Sequence, residues 1–444
     1  MSKFLHGVEV IEAQSGTRPI KTVKSSVIGL IGTAPFADED AFPLNTPVLI
    51  AGKRAEAAKL VNPENADFKT RLQTLRAAAL ATAVTDFKDA NGNVEPTADE
   101  LKALTDKVEK AVDDVEYDRK GTLVPGVDGI FDQAGAVIIV VRVADGEETA
   151  VTQNIIGGVA ADGSFEGMQA FLGAESVVGV APRILVAPGY THQRKNGEKN
   201  PVVTDLVGIA ERLRAVIIAD GPNSDDDAAK AYRKDFGSRR VFVVDPAVKV
   251  FRDGKSVVEP ASARVAGMIA KSDNDRGFWW SPSNTNMNGI VATARPIDFQ
   301  LGDANARANL LNENEVATII RQNGFKLWGN RTCSDDPKWA FLSVVRTADM
   351  INDSLLRAHM WAVDRNITKT YIDDVVQSVQ GYLDSLKAQG AILGGEIWAD
   401  EELNTPINIQ AGKVYFSFDF TPPTPAEHIT FKSILTNNYL EEIV

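Results

Sequence analysis

The stretch that decides the fold is VIIVVRV, at Val137–Val143, a continuous run of mostly β-branched residues. A strand with one wet face alternates apolar and polar residues, whereas an unbroken apolar run is typical of a parallel strand covered on both faces. Similar short runs occur at 183–187 (RILVA), 216–219 and 239–244. These runs predict a largely parallel sheet inside an α/β layered domain, because helical patterns lie between them at 202–214, 225–236 and 261–271.

Upstream of this region, SVIGLIGTA at 26–34 predicts a buried strand, and the block that follows has a helical pattern. Apolar residues recur at three- and four-residue spacing through 66–87 and again from Leu101 to Val115. Thr97 and Glu100 form a capping-box signature before the second helix. We therefore predict a helical hairpin, with an acidic and solvated outer face, inserted at about residues 62–132.

Downstream of residue 273 the pattern changes to two long helices, at 338–363 and 368–389, and a late strand. In that strand Phe416, Phe418 and Phe420 alternate with polar residues, and a proline-rich spacer follows at 421–425. The predicted fold is multidomain, α/β and α+β. Its parts are an N-terminal arm (1–25), an outer α/β domain (26–272), an inner C-terminal α+β domain (273–412), and a C-terminal strand and arm (413–444).

Both ends of the chain have strand-like runs that are poorly placed to fold back onto one compact body. The residues concerned are Val8, Val10 and Ile11 near the start, and Ile429, Phe431 and Leu435 near the end. Exposed terminal strands are aggregation hazards in a monomer, but they are satisfied when they add to the sheet of a neighbouring molecule. We predict that they exchange between subunits; the alternative, in which each end completes a sheet of its own domain, stays open.

Composition excludes several classes of function. The net charge of -13 argues against nucleic acid or an anionic membrane surface as the main partner. The apolar run that includes Val137–Val143 is too short to span a bilayer, and the first residues lack a signal-peptide pattern. We therefore expect a protein made in the cytoplasm. Cys333 is the single cysteine, so no internal disulfide is expected.

The sequence has no recognisable motif for catalysis or for cofactor binding. It has no phosphate-binding glycine loop of either common type. Its histidines, His6, His192, His359 and His428, do not have the spacing of metal ligands. The acidic run at 225–227 precedes a helix, where carboxylates are favoured by the helix dipole. The sequence therefore predicts no catalytic residue, no cofactor and no metal.

Ordered motifs along the chain resemble those of one family, the contractile tail sheath proteins of temperate myophages. The segment Asp275-x-Gly277-x-Trp279-x-Ser281-Pro282-x-Asn284 is similar to a conserved family segment. The others, in chain order, are His6-Gly7-Val8, Gly16-Thr17-Arg18-Pro19-Ile20, Phe42-Pro43-Leu44-Asn45, Leu311-Asn312 with Val316 and Ile319-Ile320, Gly324 with Leu327-Trp328-Gly329-Asn330-Arg331-Thr332, Trp339-x-Phe341 with Val345-Arg346, Gly390-Ala391 and Pro425-x-Glu427-His428-Ile429. The resemblance runs from end to end except at about 62–132.

The resemblance implies a structural subunit that forms stacked hexameric rings around an inner tube and contracts to drive the tube through a cell envelope. It implies as partners other copies of the chain, the tail tube protein, and baseplate and tail terminator proteins, in a virion tail assembled in the bacterial host cytoplasm. In the family the two arms donate strands to neighbours and the C-terminal domain faces the tube. Arg346 and Arg357 are then candidates for contact with an acidic tube surface.

Two other functions stay open at this point. One is an α/β enzyme that binds a nucleotide at the carboxyl ends of its parallel strands. The other is the sheath of a tailocin or of a machine like the type VI secretion system. A ligand that stabilises the folded chain would favour the enzyme, and neighbouring genes would separate the contractile machines.

Overall fold

The structure, a computed structural model, describes residues 19–62, 64, 66–114, 121–252 and 254–437. In that part of the chain the strands are β1 (Ile28–Thr33), β2 (Pro47–Ala51), β3 (Val137–Val143), β4 (Gly158–Val159), β5 (Phe165–Glu166), β6 (Ile184–Val186), β7 (Val216–Asp220), β8 (Val241–Val244), β9 (Val248–Arg252), β10 (Lys255–Glu259), β11 (Ala292–Thr293), β12 (Val316–Arg321), β13 (Phe325–Trp328), β14 (Gly394–Ala399) and β15 (Phe416–Thr421). The helices are α1 (Ala66–Ala90), α2 (Ala98–Asp114), α3 (Leu123–Phe131), α4 (Glu148–Ile156), α5 (Ala170–Val178), α6 (Pro201–Leu213), α7 (Asp226–Lys234), α8 (Ser262–Arg276), α9 (Arg307–Glu313), α10 (Leu342–Ala358), α11 (Lys369–Ala388) and α12 (Pro406–Gln410).

The largest sheet has eight strands in the order β13–β12–β8–β7–β6–β1–β3–β2. The six inner strands are parallel, and the two edge strands, β13 and β2, are antiparallel to their neighbours. In β3 every residue after Val137 is buried, as the apolar run predicts. The prediction of a mixed α/β multidomain fold is confirmed at this level.

Helices cover both faces of this sheet. Successive side chains of a strand point to opposite faces, so Ile138 and Val140 pack with α3 and α8, while Ile139 and Val141 pack with helices on the other side. Helices α4, α5, α6, α7 and α9 contribute to that second layer. The continuous apolar strands are therefore explained by two separate cores, one on each face.

The sheet extends past the predicted domain boundary at residue 272. Strand β12 pairs with β8 in parallel, and β13 pairs with β12, so both belong to the α/β body. The boundary prediction was wrong in this respect. It relied on the change to a polar and aromatic composition at 273–330, whereas β12 pairs with Val243 and Val244, about seventy positions earlier in the chain.

The predicted insertion was too long at its C-terminal end. Helices α1 and α2 form the hairpin, but α3 belongs to the α/β body, since Leu123 and Ile130 are fully buried in its core. The predicted capping box is present: the side chain of Glu100 accepts from the Thr97 N–H at 2.8 Å, and Thr97 Oγ1 accepts from the Glu100 N–H at 3.4 Å.

A second unit consists of α10, α11 and the antiparallel pair β14–β15, around a third core. Helix α11 begins after Thr368, whose side chain accepts from the Tyr371 N–H. Helix α10 is shorter than the predicted 338–363, because a 3-10 turn at Pro337–Trp339 precedes it. Leu342 and Val345 of α10 pack in the sheet core, whereas Met350 and Ile351 pack in the third core. Helix α10 thus connects the two units.

Candidate assembly interface

The two-stranded sheet of the C-terminal unit has one apolar face and two edges. Phe416, Phe418 and Phe420 pack against the third core, with the rings of Phe418 and Phe420 stacked at a centroid distance of 5.9 Å. Ile397 of β14 lies opposite Phe418 and is buried in the same core. Among the described residues this sheet has two strands, so each has an outer edge to which another strand could add.

After β15 the chain leaves the body as an extended segment. Residues 422–437 contain neither helix nor strand. The apolar side chains of Ile429, Phe431 and Leu435 are 67%, 91% and 98% exposed. An uncovered apolar segment of this kind gains little from its own subunit and is typical of a surface that another molecule covers. The pairing of this segment with a neighbour stays a prediction.

One ion pair holds the start of this segment against the α/β body. Arg331 Nε donates to Glu427 Oε1 at 2.8 Å and to Oε2 at 3.0 Å. The hydrogen bonds that Arg331 donates to Glu427 raise the pKa of the Arg331 guanidinium. Both side chains are more than a third exposed, so we expect the pair to direct the segment more than to stabilise the fold.

At the other end of the chain, Val8, Val10 and Ile11 lie outside the described residues. The described residues that precede β1 are fixed to the C-terminal unit. The Val23 N–H donates to Ser354 Oγ at 3.0 Å, and the hydroxyls of Thr22 and Tyr382 are 3.0 Å apart. Residues 22 and 23 therefore lie against the unit that contains α10, α11 and the β14–β15 sheet.

The prediction that Arg346 is available to a tube surface was wrong. Its side chain is buried, its two terminal nitrogens each donate to a carboxylate oxygen of Asp273 at 2.6 Å, and one of them also donates to the Ser25 carbonyl at 3.0 Å. Arginine is mostly exposed in proteins, which is why the sequence suggested a surface position. Arg357 is partly exposed and pairs with Glu175 and Asp353; its contact with a tube stays a prediction.

Arg346 is the first member of a ladder of ion pairs along one face of α10. The ladder joins residues spaced three or four apart on α10 to residues of the α/β body, in the pairs Arg346–Asp273, Asp349–Arg240, Asp353–Arg183 and Arg357–Glu175. Burial raises the pKa of Asp349 and lowers that of Arg183. The first three pairs are largely buried, and loss of one partner would leave the other charge buried and unpaired, so these pairs hold the two units together. Sequence reasoning missed it, although the spacing of the charges on α10 is a helical repeat.

The place where a doubly wound sheet binds nucleotides is filled here. The chain order of the strands reverses between β1 and β6, and ligands of such sheets bind at the carboxyl ends of the strands at that point. There Thr33 Oγ1 and the Tyr190 hydroxyl are 3.1 Å apart, and the Thr33 N–H donates to Thr122 Oγ1 at 3.3 Å. Gly121 approaches so closely that a β-carbon on it would meet the Thr33 carbonyl oxygen at 2.5 Å.

Other candidate sites show structural roles in the described residues. Asp225 caps α7, its side chain accepting from the Ala228 N–H at 2.8 Å, as predicted for the acidic run at 225–227. Cys333 is buried, and burial raises its pKa to about 12. In the part of the chain that is described, no three or more His, Cys, Asp or Glu side chains converge as metal ligands, and no helix has the length and hydrophobicity needed to cross a membrane.

Structures of contractile injection machines have the same fold. The chain is similar to a subunit of the anti-feeding prophage helical sheath in its contracted state, with a TM-score of 0.64 and 18% identity, covering 97% of this chain and 99% of that chain. It is also similar to a chain in the baseplate of the anti-feeding prophage, with a TM-score of 0.61, 18% identity and coverage of 98% and 100%.

Sequence comparison gives a closer relationship. The chain is 39% identical, over 99% of its length and 99% of the relative, to a putative prophage major tail sheath protein of Pseudomonas aeruginosa (strain UCBPP-PA14). It is 34% identical to the tail sheath protein of Escherichia phage P2, over 100% of this chain and 98% of that protein. Two family profiles also match, the phage tail sheath protein central domain at 163–333 and the phage tail sheath C-terminal domain at 334–436. The chain therefore belongs to the phage tail sheath protein family, whose members are structural subunits of contractile tails.

Proposed function

We propose that this sheath subunit polymerises by exchanging terminal strands with other copies of itself, as stacked hexameric rings around an inner tube. The observation that carries the proposal is the segment at 422–437, which leaves its own body with its apolar side chains uncovered, in a chain whose described residues place no strand on either outer edge of the β14–β15 sheet. Addition of a strand to a sheet edge supplies backbone hydrogen bonds between subunits. The N-terminal arm, with Val8, Val10 and Ile11, would supply a second such strand.

Contraction requires subunits that move against one another without separating. The ion-pair ladder on α10 supports a rigid body, because breaking one buried pair leaves a charge without its partner. The spacer at 422–425 contains Pro422, Pro423 and Pro425, and prolines favour a stiff extended conformation without internal hydrogen bonds. We infer that the body and the spacer keep their shapes during contraction, while the strand contacts between subunits allow the subunits to rotate.

The tube is the proposed inner partner, and baseplate and terminator proteins are the proposed partners at the two ends. Arg357 is the remaining basic candidate for the tube contact, since its guanidinium is partly exposed. We propose a virion tail as the site of action, after assembly in the host cytoplasm. The relatives from a phage and a prophage are 34% and 39% identical to this chain, against 18% for the anti-feeding prophage sheath, which favours a phage tail over other contractile machines.

Deletion of the first sixteen residues tests the exchange of the N-terminal strand. The truncated subunit is expected to fold, because the described contacts of the N-terminal segment begin at residues 20–23, but not to polymerise. Negative-stain electron microscopy of both proteins would show hollow striated cylinders for the full chain only. Cylinders from the truncated chain would contradict the proposal for this arm.

A further inference from the structure

The two outer edges of the β14–β15 sheet differ, because a side chain already occupies one of them. Gln380 of α11 lies beside β14. Its Nε2 donates to the Gly395 carbonyl at 3.2 Å, and its Oε1 accepts from the Ile397 N–H at 3.2 Å. Nε2 also donates to Asp384 Oδ1 at 3.1 Å, which orients the amide. Two backbone groups at the edge of β14 are therefore satisfied by a side chain at the position where a strand would bind.

The two backbone groups that Gln380 contacts are the two that one residue of a parallel neighbouring strand would bind. The Gly395 carbonyl and the Ile397 N–H flank Glu396. In a parallel pair of strands, one residue donates its N–H to the carbonyl before the facing residue and accepts from the N–H after it. The amide of Gln380 makes both of these hydrogen bonds. It thus takes the place of one residue of a strand that runs parallel to β14.

The edge of β15 is open by comparison. Ile397 lies opposite Phe418, and the Ile397 N–H points away from β15 toward Gln380. At such a position of an antiparallel pair, the backbone groups of both residues point outward, so those of Phe418 face the outer edge of β15. By the alternation of the strand, the same holds for Phe416 and Phe420. No strand lies beside this edge in the part of the chain that the structure describes.

We propose that Gln380 is a substitute for a strand that keeps the β14 edge closed in the free subunit, and that the segment 429–435 of a second copy of this chain replaces it, parallel to β14. This inference rests on the strand exchange proposed above. The segment fits the site, because Ile429, Phe431 and Leu435 alternate with other residues and would extend the apolar face formed by Phe416, Phe418 and Phe420. A strand that adds to the open β15 edge displaces no side chain.

The consequence is a barrier to premature polymerisation. An unprotected edge strand pairs with any available chain, and proteins block such edges by covering them. Displacement of Gln380 breaks two hydrogen bonds, each of which has a modest net value because the amide then bonds to water. The barrier is therefore small enough to be overcome when a neighbouring subunit is correctly placed.

The substitution Gln380→Ala tests this barrier. We expect the critical concentration for polymerisation, measured by light scattering, to fall about tenfold, which corresponds to about 1.4 kcal/mol. Gln377→Ala is the matched control, since Gln377 is exposed on the same helix one turn earlier, and it should behave as the wild type. Equal critical concentrations for the wild type and Gln380→Ala would overturn the proposed role of Gln380. A wild type that never polymerises would overturn the proposed function instead.

Hydrogen exchange provides a second test that needs no variant. In the wild-type subunit below its critical concentration, the Ile397 amide is expected to exchange more slowly than that of Phe418, because Gln380 protects only the β14 edge. In the assembled sheath both amides should be protected. Equal and rapid exchange of the two amides in the free subunit would overturn the assignment of Gln380, even if the alanine variant failed to fold.

Discussion

Arg346 and Asp273 face each other through two parallel hydrogen bonds of 2.6 Å, with side chains that are 4% and 1% exposed. The pair joins α10 to the end of α8, and one of the two arginine nitrogens also donates to the Ser25 carbonyl. Three segments of the chain thus meet at one buried guanidinium. Removal of one partner from a buried pair leaves the other charge without compensation.

We predict that Arg346→Met lowers the free energy of unfolding by about 3–5 kcal/mol, because Asp273 would stay buried and unpaired. Urea denaturation followed by circular dichroism measures the change. The double variant Arg346→Met, Asp273→Leu is the control and should recover most of the loss. A single variant as stable as the wild type would show that the pair does not hold α10 to the body.

Arg357→Glu separates tube binding from stability, which a change at Arg346 cannot do. The side chain of Arg357 is 42% exposed, so we expect the loss of its ion pairs to cost about 1 kcal/mol or less. If Arg357 faces the tube, the variant should polymerise but attach weakly to tube protein in a co-sedimentation assay. Attachment equal to that of the wild type would remove Arg357 as a tube contact.

The sequence predicted the central strands well, because burial on both faces of a parallel sheet leaves a direct mark in runs such as Val137–Val143. Helix starts could also be predicted where the capping side chain and its partner are close in sequence, as at Thr97 and Thr368. The addition of β12 to the same sheet was not predicted, because apolar patterns show which residues are buried and not which distant strand they join. Arg346 and Gln380 were missed for the same reason, since their roles depend on partners in other elements.

A pH effect is expected at the Glu175–Arg357 pair. Hydrogen bonds from Arg357 hold the pKa of Glu175 below its ordinary value of 4.5. Because the folded-state pKa is the lower one, the pair stabilises the subunit at neutral pH, and this contribution is lost as the pH falls through the folded-state pKa. Glu175→Gln should therefore reduce stability at about pH 7 by less than about 1 kcal/mol, and by less still at about pH 3. Urea denaturation at both pH values checks this; a larger loss at the lower pH would contradict it.

Cys333 should be inert in the folded subunit. Its thiol is buried, and its pKa of about 12 lies about four units above a labelling pH of about 8, so very little thiolate forms. A thiol-reactive dye should label the denatured chain completely and the native chain hardly at all. Rapid labelling of the native subunit would show that the α/β body opens near Cys333.

Glu427 and Arg331 should direct the C-terminal segment without contributing much to the stability of the fold. Arg331→Ala is expected to change the free energy of unfolding by about 1 kcal/mol or less and to increase proteolysis within 422–437. Glu427→Gln should have the same effect, and the double variant should add nothing to either. Cleavage rates equal to that of the wild type would show that this ion pair does not hold the segment.

The account depends most directly on the C-terminal segment as a link between subunits. Sedimentation velocity, at increasing concentrations, should compare the full chain with a chain that ends at residue 428. We predict that the full chain forms large polymers above a critical concentration, while the shortened chain stays a folded monomer. Polymers of equal size from both chains, or a full chain that stays monomeric at every concentration, would contradict the account.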